Sequence, residues 1–350
     1  MLKKVVVGLL VLLVVAALFI WSRFFLDNTP FEGKARYLYI HTGEANQVAV
    51  MKTLIDSQFI KNPDSFNFLA NRMDLWKKLK PGRYEIQEDM SLLDIARMLR
   101  NGRQSPVNIV ITKVRTKEQL TAQIARKLEC DSLELINFLN NADTLRPYGL
   151  DTFTVLTAVI PDTYTYLWTA SPSAIFSKWR AAHNRVWNEE RTRLAAEKSL
   201  TPVTAYILAS IVEEETNVKE EKGEMASVYL NRLNKKMRLG ADPTVKFALR
   251  NFALQRIYEK HLDFESPYNT YRNYGLPPGP ICTPSLETID EVLNSPQTNY
   301  LFFVAKSDFS KSHVFTESYS DHLKYANEYR KALDSLIQKK QAAAAQGNKP

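Results

Sequence analysis

The chain opens on an uninterrupted apolar run from Val5 to Trp21, preceded by Lys3 and Lys4 and followed by Ser22, Arg23 and the patch Phe24, Phe25, Leu26. At ~1.5 Å rise per residue, a helix needs about 20 apolar residues to cross a bilayer's hydrocarbon core. A cleaved secretory signal is the alternative, but bulky Phe19, Ile20, Trp21 and Phe24 leave no small-x-small cleavage site after the run. The pattern predicts an uncleaved single-pass transmembrane anchor over residues 1–24 and a polar linker at 25–35. Lys3 and Lys4 place the tip in the cytoplasm, hence the anchor in the cytoplasmic (inner) membrane and the body on its outer side, although Arg23 weakens the charge asymmetry.

Beyond the linker the periodicity alternates between that of strands and that of helices. A strand is predicted at 37–41, helices at 46–57 and 63–78, a turn at Pro81-Gly82, a strand at 83–86, a Ser91-capped helix to residue 100, and a strand at 107–111. Together they make a small α+β unit over 36–112. A second, larger mixed α+β domain is predicted over 113–337. Its helices are expected at 117–141 and 173–199, then from a Thr201 cap with Pro202 at the first helical position, then at 223–237 and 243–250. A Pro/Gly-rich loop covers 266–284, residues 300–305 read as a buried strand, and an amphipathic helix runs over 319–338. The low-complexity end, 338–350, is expected to be a disordered tail.

Composition narrows the chemistry. The net charge of +8 comes from scattered Lys and Arg, which suits a soluble basic surface or an anionic partner such as lipid headgroups or a wall polymer. No nucleic-acid-binding motif accompanies it. Cys130 and Cys282 form no C-x-x-C pair and the five histidines show no ligand spacing, so no metal or other cofactor is expected. Outside the cytoplasm the two cysteines are free to pair, or they are two buried thiols.

One helix carries three adjacent acids, Glu213, Glu214 and Glu215. At about 100° per residue, the apolar stripe Ile207, Leu208, Ile211, Val212 points near 270° on the helical wheel, Glu213 near 80°, Glu214 near 180° and Glu215 near 280°. The wheel therefore makes Glu213 ordinary surface and puts Glu215 on the buried face. A carboxyl in apolar surroundings resists ionisation, which is what a general acid needs near neutral pH. Pairing with a distant Arg would explain it as well. The loop 266–280, with tyrosines beside Asn and Thr, suits a sugar or is simply a proline-stiffened surface loop. Asp242-Pro243 reads equally as a helix cap.

Taken in order, the runs ASIVEEET (209–216), ASVYLNRL (226–233), MRLGADPTV (237–245), YNTY (268–271), GLPPGP (275–280) and YLFFVA (300–305) resemble the endolytic murein transglycosylases of the YceG-like (MltG) family. KPGRY at 80–84 is similar to that family's LysM-like module, and PDTY at 161–164 to its central motif. The resemblance implies a LysM-like α+β module at 36–112 and a catalytic domain at 113–337. It also implies endolytic cleavage of the β-1,4 bond between N-acetylmuramic acid and N-acetylglucosamine, leaving 1,6-anhydro ends, near the membrane during wall synthesis. The catalytic residue would be the second Glu of E-x-E-T, here Glu215. Asp242, Asn269 and Tyr271 are the residues expected to bind the sugar. Peptidoglycan strands, and with them wall-synthesis proteins, are the expected partners. Two departures stand out: residues 113–116 lack the family's glycine, and the approach to Pro161 lacks its aromatic residues; both are expected to lie outside the site. Two other readings remain open, a hydrolytic muramidase with Asp242 as second carboxylate and a non-catalytic wall-binding scaffold. A membrane-anchored protease lacks a recognisable nucleophile.

Overall fold

The computed structural model describes residues 2–33, 35–254 and 256–347. Two compact units emerge, one of Met1–Ile109, Gln123–Asp131 and Tyr164–Pro172, the other of Val110–Ala122, Ser132–Thr163 and Ser173–Pro350.

The first unit begins with helix α1 (Leu2–Phe25) and continues through β1 (Ala35–Ile40), α2 (Gln47–Asp56), α3 (Pro63–Arg72), α4 (Leu75–Lys78), β2 (Gly82–Gln87) and α5 (Leu92–Asn101). Within Lys3–Phe25 an 18-residue window reaches a mean hydropathy of 2.9, and by length and composition this helix is able to cross a membrane. β1 and β2 pair antiparallel with Leu38 opposite Tyr84 and Arg36 opposite Ile86. Gly82, Tyr84 and Ile86 alternate inward along β2, so one face of the ribbon covers a core of Leu38, Leu54, Phe66, Ile95 and Leu99. Asn46 and Ser91 cap α2 and α5 through the backbone N–H groups of Ala49 and Asp94. The later segment 123–131 belongs here because the Glu129 carboxylate accepts from the Thr42 N–H at 2.8 Å and its hydroxyl at 2.6 Å.

The chain passes between the units along β3 (Val107–Ile111) and β4 (Asp162–Tyr166). The second unit then holds α6 (Lys117–Ala125, its end reaching the first unit), α7 (Ser132–Leu139), α8 (Ala142–Leu145), α9 (Pro172–Val186), α10 (Glu189–Glu197), α11 (Pro202–Glu215) and α12 (Lys219–Asn234). After them come α13 (Asp242–Ala248), α14 (Glu259–Leu262), α15 (Leu286–Leu293), the antiparallel pair β5 (Phe302–Ala305) and β6 (His313–Thr316), and α16 (Tyr319–Gly347). At its centre lies α11, opened by a Thr201–Thr204 capping box with Pro202 in the first turn. Every residue from Ala205 to Val212 is buried, with α10, α12, α13 and α15 packed around the helix. A helix apolar on all sides requires such an enclosure.

Several expectations need correcting. The helix expected over 117–141 is two, α6 and α7, since the intervening residues turn aside to the Thr42–Glu129 contact. The one expected over 173–199 breaks where Asn188 leaves helical geometry and caps α10 through the Arg191 N–H. α15, β4 and β6 lie in stretches where no element was expected. Helix α16 runs through Gly347, past the predicted end at 338, because four consecutive alanines favour helix more than any other residue does; residues 348–350 of the expected tail lie outside the described residues. Cys130 and Cys282 are both buried and are not joined in a disulfide.

Candidate active site

The last turn of α11 presents its three acids to three different environments. Glu213 is not surface: its carboxylate accepts from the Ser285 hydroxyl at 3.0 Å and from the Thr288 hydroxyl, and lies 3.4 Å from the ammonium of buried Lys222. Burial alone would push its pKa up, but the Thr288 bond, the Lys222 charge and the Ser285 bond together hold it below the usual carboxylate value. Glu214 takes the Arg115 guanidinium at 2.9 Å and the Lys113 ammonium at 3.2 Å. Residues 113–116, expected to lie away from the site, thus reach its edge.

Glu215 has no ion-pair partner among the described residues. Its Oε1 accepts from the Tyr229 hydroxyl at 2.6 Å. Burial pushes its pKa up to about 7; the Tyr229 bond opposes this, the Asp242 charge adds to it, and the charges of Lys246 and Arg232 oppose it from further off. The Tyr229 ring is fully buried, and burial followed by the Glu215 charge raises its phenol far above the ordinary value, so it stays a hydrogen-bond donor. Tyr229 and Arg232 sit three residues apart on one face of α12. Arg232 donates to the backbone carbonyls of Leu301, at 2.7 Å, and Leu239 rather than to a carboxylate.

Two loops bring the remaining groups in. The Tyr271 hydroxyl donates to Asp242 Oδ1 at 2.6 Å, and burial together with that bond raises the Tyr271 phenol strongly. The two are held together from beneath by buried threonines: Thr270 Oγ1 accepts from the Ala241 N–H at 2.9 Å and lies 2.9 Å from Thr244 Oγ1. Gly240, at φ +57°, donates its N–H to the Thr270 carbonyl at 3.1 Å, a conformation that favours glycine. Asp242 is the first residue of α13, not its cap, which is Ala241.

Of the residues singled out from sequence, Glu215, Asp242 and Tyr271 share one electrostatic neighbourhood. Asn269 plays a different part. Fully buried, its amide donates to the carbonyls of Leu262 and Phe264, both at 2.8 Å, and its oxygen accepts from the Tyr271 N–H at 3.0 Å. These bonds shape the loop that carries Tyr271 and use the capacity expected to meet sugar. Tyr229, Arg232 and Lys246 were missed. All three fall within or beside the motif runs, and the fourfold spacing of Asp242 and Lys246 on one helix face was the available signal. The described residues contain no group of three His, Cys, Asp or Glu side chains placed to hold a metal.

A carboxyl poised near neutrality, fixed through one oxygen and with no hydrogen bond to the other among the described residues, is able to give up a proton and take one back. Over 140 residues the chain is 39% identical to an endolytic murein transglycosylase of Bacillus subtilis (strain 168), covering 40% of this chain and 36% of that protein. Over 320 residues it is 26% identical to an endolytic murein transglycosylase of Streptococcus pneumoniae (strain ATCC BAA-255 / R6), covering 82% of this chain and 57% of the relative. The chain thus spans between about a third and just over half the length of these curated relatives. A crystal structure of a YceG-like protein from Listeria monocytogenes superposes with a TM-score of 0.54 at 26% identity, covering 83% of this chain and 98% of that one. The profile of the YceG-like family matches residues 38–328, and with the motifs and the fold in agreement this chain belongs to that family.

Proposed function

We propose that this protein is a membrane-anchored endolytic lytic transglycosylase of peptidoglycan, cutting the β-1,4 bond between N-acetylmuramic acid and N-acetylglucosamine with Glu215 as its single acid and base. The observation that carries this reading is the Glu215 carboxyl, without an ion-pair partner among the described residues and raised by burial to about 7 beside the Tyr229 donor. The names of the Bacillus and Streptococcus relatives support the substrate.

Tyr229 donates to Oε1, so the acidic proton resides on Oε2 and faces the glycosidic oxygen. Transfer to that oxygen breaks its bond to C1 of the muramic acid as positive charge develops on the sugar ring. The Glu215 carboxylate, steadied by Tyr229 and the charges of Lys246 and Arg232, then accepts the proton of the sugar's own C6 hydroxyl. That oxygen bonds to C1 and closes the 1,6-anhydro ring. No water is consumed, and Glu215 ends protonated as it began. Asp242 and Tyr271 contact the sugar, and Asn269 acts through the loop it shapes. In this reading α1 is the single-pass anchor and the first unit's β-ribbon and helices are the LysM-like module.

Asp242 favours one rival. Its charge is felt at Glu215, so it has the position of a second carboxylate that would activate water, making the enzyme a hydrolytic muramidase. Digestion of isolated peptidoglycan in ¹⁸O-labelled water separates the two: anhydro ends without label are expected, and labelled reducing ends would overturn the lyase step. Glu215→Gln is expected to abolish both products. It should also melt higher than the wild type at pH 8, where the buried carboxyl must ionise, and equally at pH 4. Retained turnover would remove Glu215 from the mechanism, and binding without turnover in the wild type would leave a wall-binding scaffold.

A further inference from the structure

The second unit holds a cleft of about 390 Å³ whose lining includes three cations, Arg115, Lys117 and Arg250, and no carboxylate. Its floor is aromatic: the rings of Phe247 and Tyr268 meet with centroids 4.6 Å apart, and Phe153 leaves half its surface exposed at the rim. Gly279 lets the walls close up, since a Cβ there would collide with the Phe153 carbonyl and the Tyr268 hydroxyl. Arg115 and Phe247 also line a smaller recess with Glu214 and Lys246, so the cleft leads toward the lysine whose charge acts on Glu215.

The cations are not equally engaged. Arg115 is held by Glu214, and Arg250 lies loosely at 3.5 Å from Glu118 with its guanidinium over the Phe247 ring. Lys117 is partly buried, and among the described residues its ammonium donates to neutral oxygens, the Thr152 carbonyl at 3.0 Å and the Asn140 amide oxygen. Glu118 and then Asp151 are close enough for their charges to be felt, but Glu118 faces Arg250 at 3.5 Å and the Asp151 Oδ1 accepts the backbone N–H groups of Phe153 and Thr154 and the Thr154 hydroxyl. A desolvated ammonium with neutral partners is unfavourable alone and favours an anion that completes its shell. The aromatic floor asks for apolar atoms attached to that anion. Neutral sugar hydroxyls need neither.

We propose that this cleft is a carboxylate-binding subsite for the peptide that the muramic acid carries on its lactyl group. The inference rests on the glycan-cleaving function proposed above. The side chain of the sugar at the scissile bond would lie across Phe247 and Tyr268 and end against Lys117 and Arg250, making the enzyme prefer peptide-bearing strands.

The test compares kcat/KM of the full chain on intact strands and on strands stripped of peptide by an amidase. The wild type is expected to prefer intact strands, and Lys117→Gln and Arg250→Gln each to lower that preference by about tenfold, the scale of one charge-assisted hydrogen bond. An unchanged ratio overturns the subsite. Arg250 is exposed, so its variant decides the matter if Lys117→Gln fails to fold. Binding of a soluble muramyl peptide with a free terminal carboxylate, against its amide, to the Glu215→Gln protein gives a readout without turnover. Weaker binding of the amide, and of the acid to Arg250→Gln, supports the subsite even if strand cleavage itself is not found; equal binding of acid and amide sinks it while leaving cleavage untouched. Equal displacement of both by inorganic phosphate would reduce the cleft to a general anion patch and also overturn the proposal.

Discussion

The proton on Glu215 is held by opposed influences, and two neighbours push it in opposite directions. Tyr229 donates to the carboxylate and so favours ionisation, whereas the Asp242 charge disfavours it. Because the proposed mechanism needs the protonated form, activity should fall as pH rises through about 7. Tyr229→Phe is expected to move that alkaline limb to higher pH and Asp242→Asn to lower pH, each with a reduced maximum. Profiles of kcat/KM between pH 5 and 9 check this, and limbs moving the same way would contradict the arrangement. Helical geometry found Glu215 for an incomplete reason. It assumed one buried and one exposed face, but α11 is enclosed, and Glu213 at the supposed outer face is tied to Ser285, Thr288 and Lys222. What separates Glu215 from its neighbours is that no cation among the described residues pairs with it directly, Lys246 and Arg232 acting only through their charge. Partners that arrive from residues 113–115, 222 and 285–288 leave no trace in the local pattern.

At the level of elements, the acids of α11 also fasten the second unit together. Lys222 on α12 donates to Thr288 on α15 at 2.7 Å while pairing with Glu213 on α11, so one ammonium joins three helices. Lys222→Met should cost about 3 kcal/mol, since it strands a buried carboxylate rather than removing a pair. The sign with pH follows from Glu213, whose pKa in the folded protein lies below its ordinary value. Its contribution is present above the ordinary carboxylate range and is lost as pH falls through the lowered value. The deficit of Lys222→Met should therefore be largest near pH 7 and narrow toward pH 4 in chemical denaturation; a constant deficit would mean that lost packing dominates. Local signals located the elements that depend on local chemistry: the Thr201 cap, Pro202, the Ser91 cap and the β1–β2 alternation. They failed where a distant contact decides. The break between α6 and α7 follows Glu129 to Thr42, and β6 is too short to announce itself before β5 pairs with it.

For the whole molecule, the largest consequence attaches to α1. Its side chains from Val5 to Val15 are exposed, as they would be to lipid, and Arg23 lies at the far end of the apolar run from Lys3 and Lys4. A leader removed by signal peptidase would show the same hydropathy but would leave the mature protein without it. The intact mass of the protein purified from its own cell's membranes should include residues 3–25, and the protein should resist carbonate extraction. Each charge placed at the middle of a spanning helix costs about 2.5–3.5 kcal/mol, so Leu12→Arg with Leu13→Arg should move most of the chain out of the membrane fraction. Glu215→Gln, which changes only the second unit, should leave that partition as it was. A mature mass lacking the run would make α1 a leader and free the protein from the membrane. The basic surface left after the loss of Lys3 and Lys4 would then be what held it to anionic polymer, and salt rather than detergent would release it.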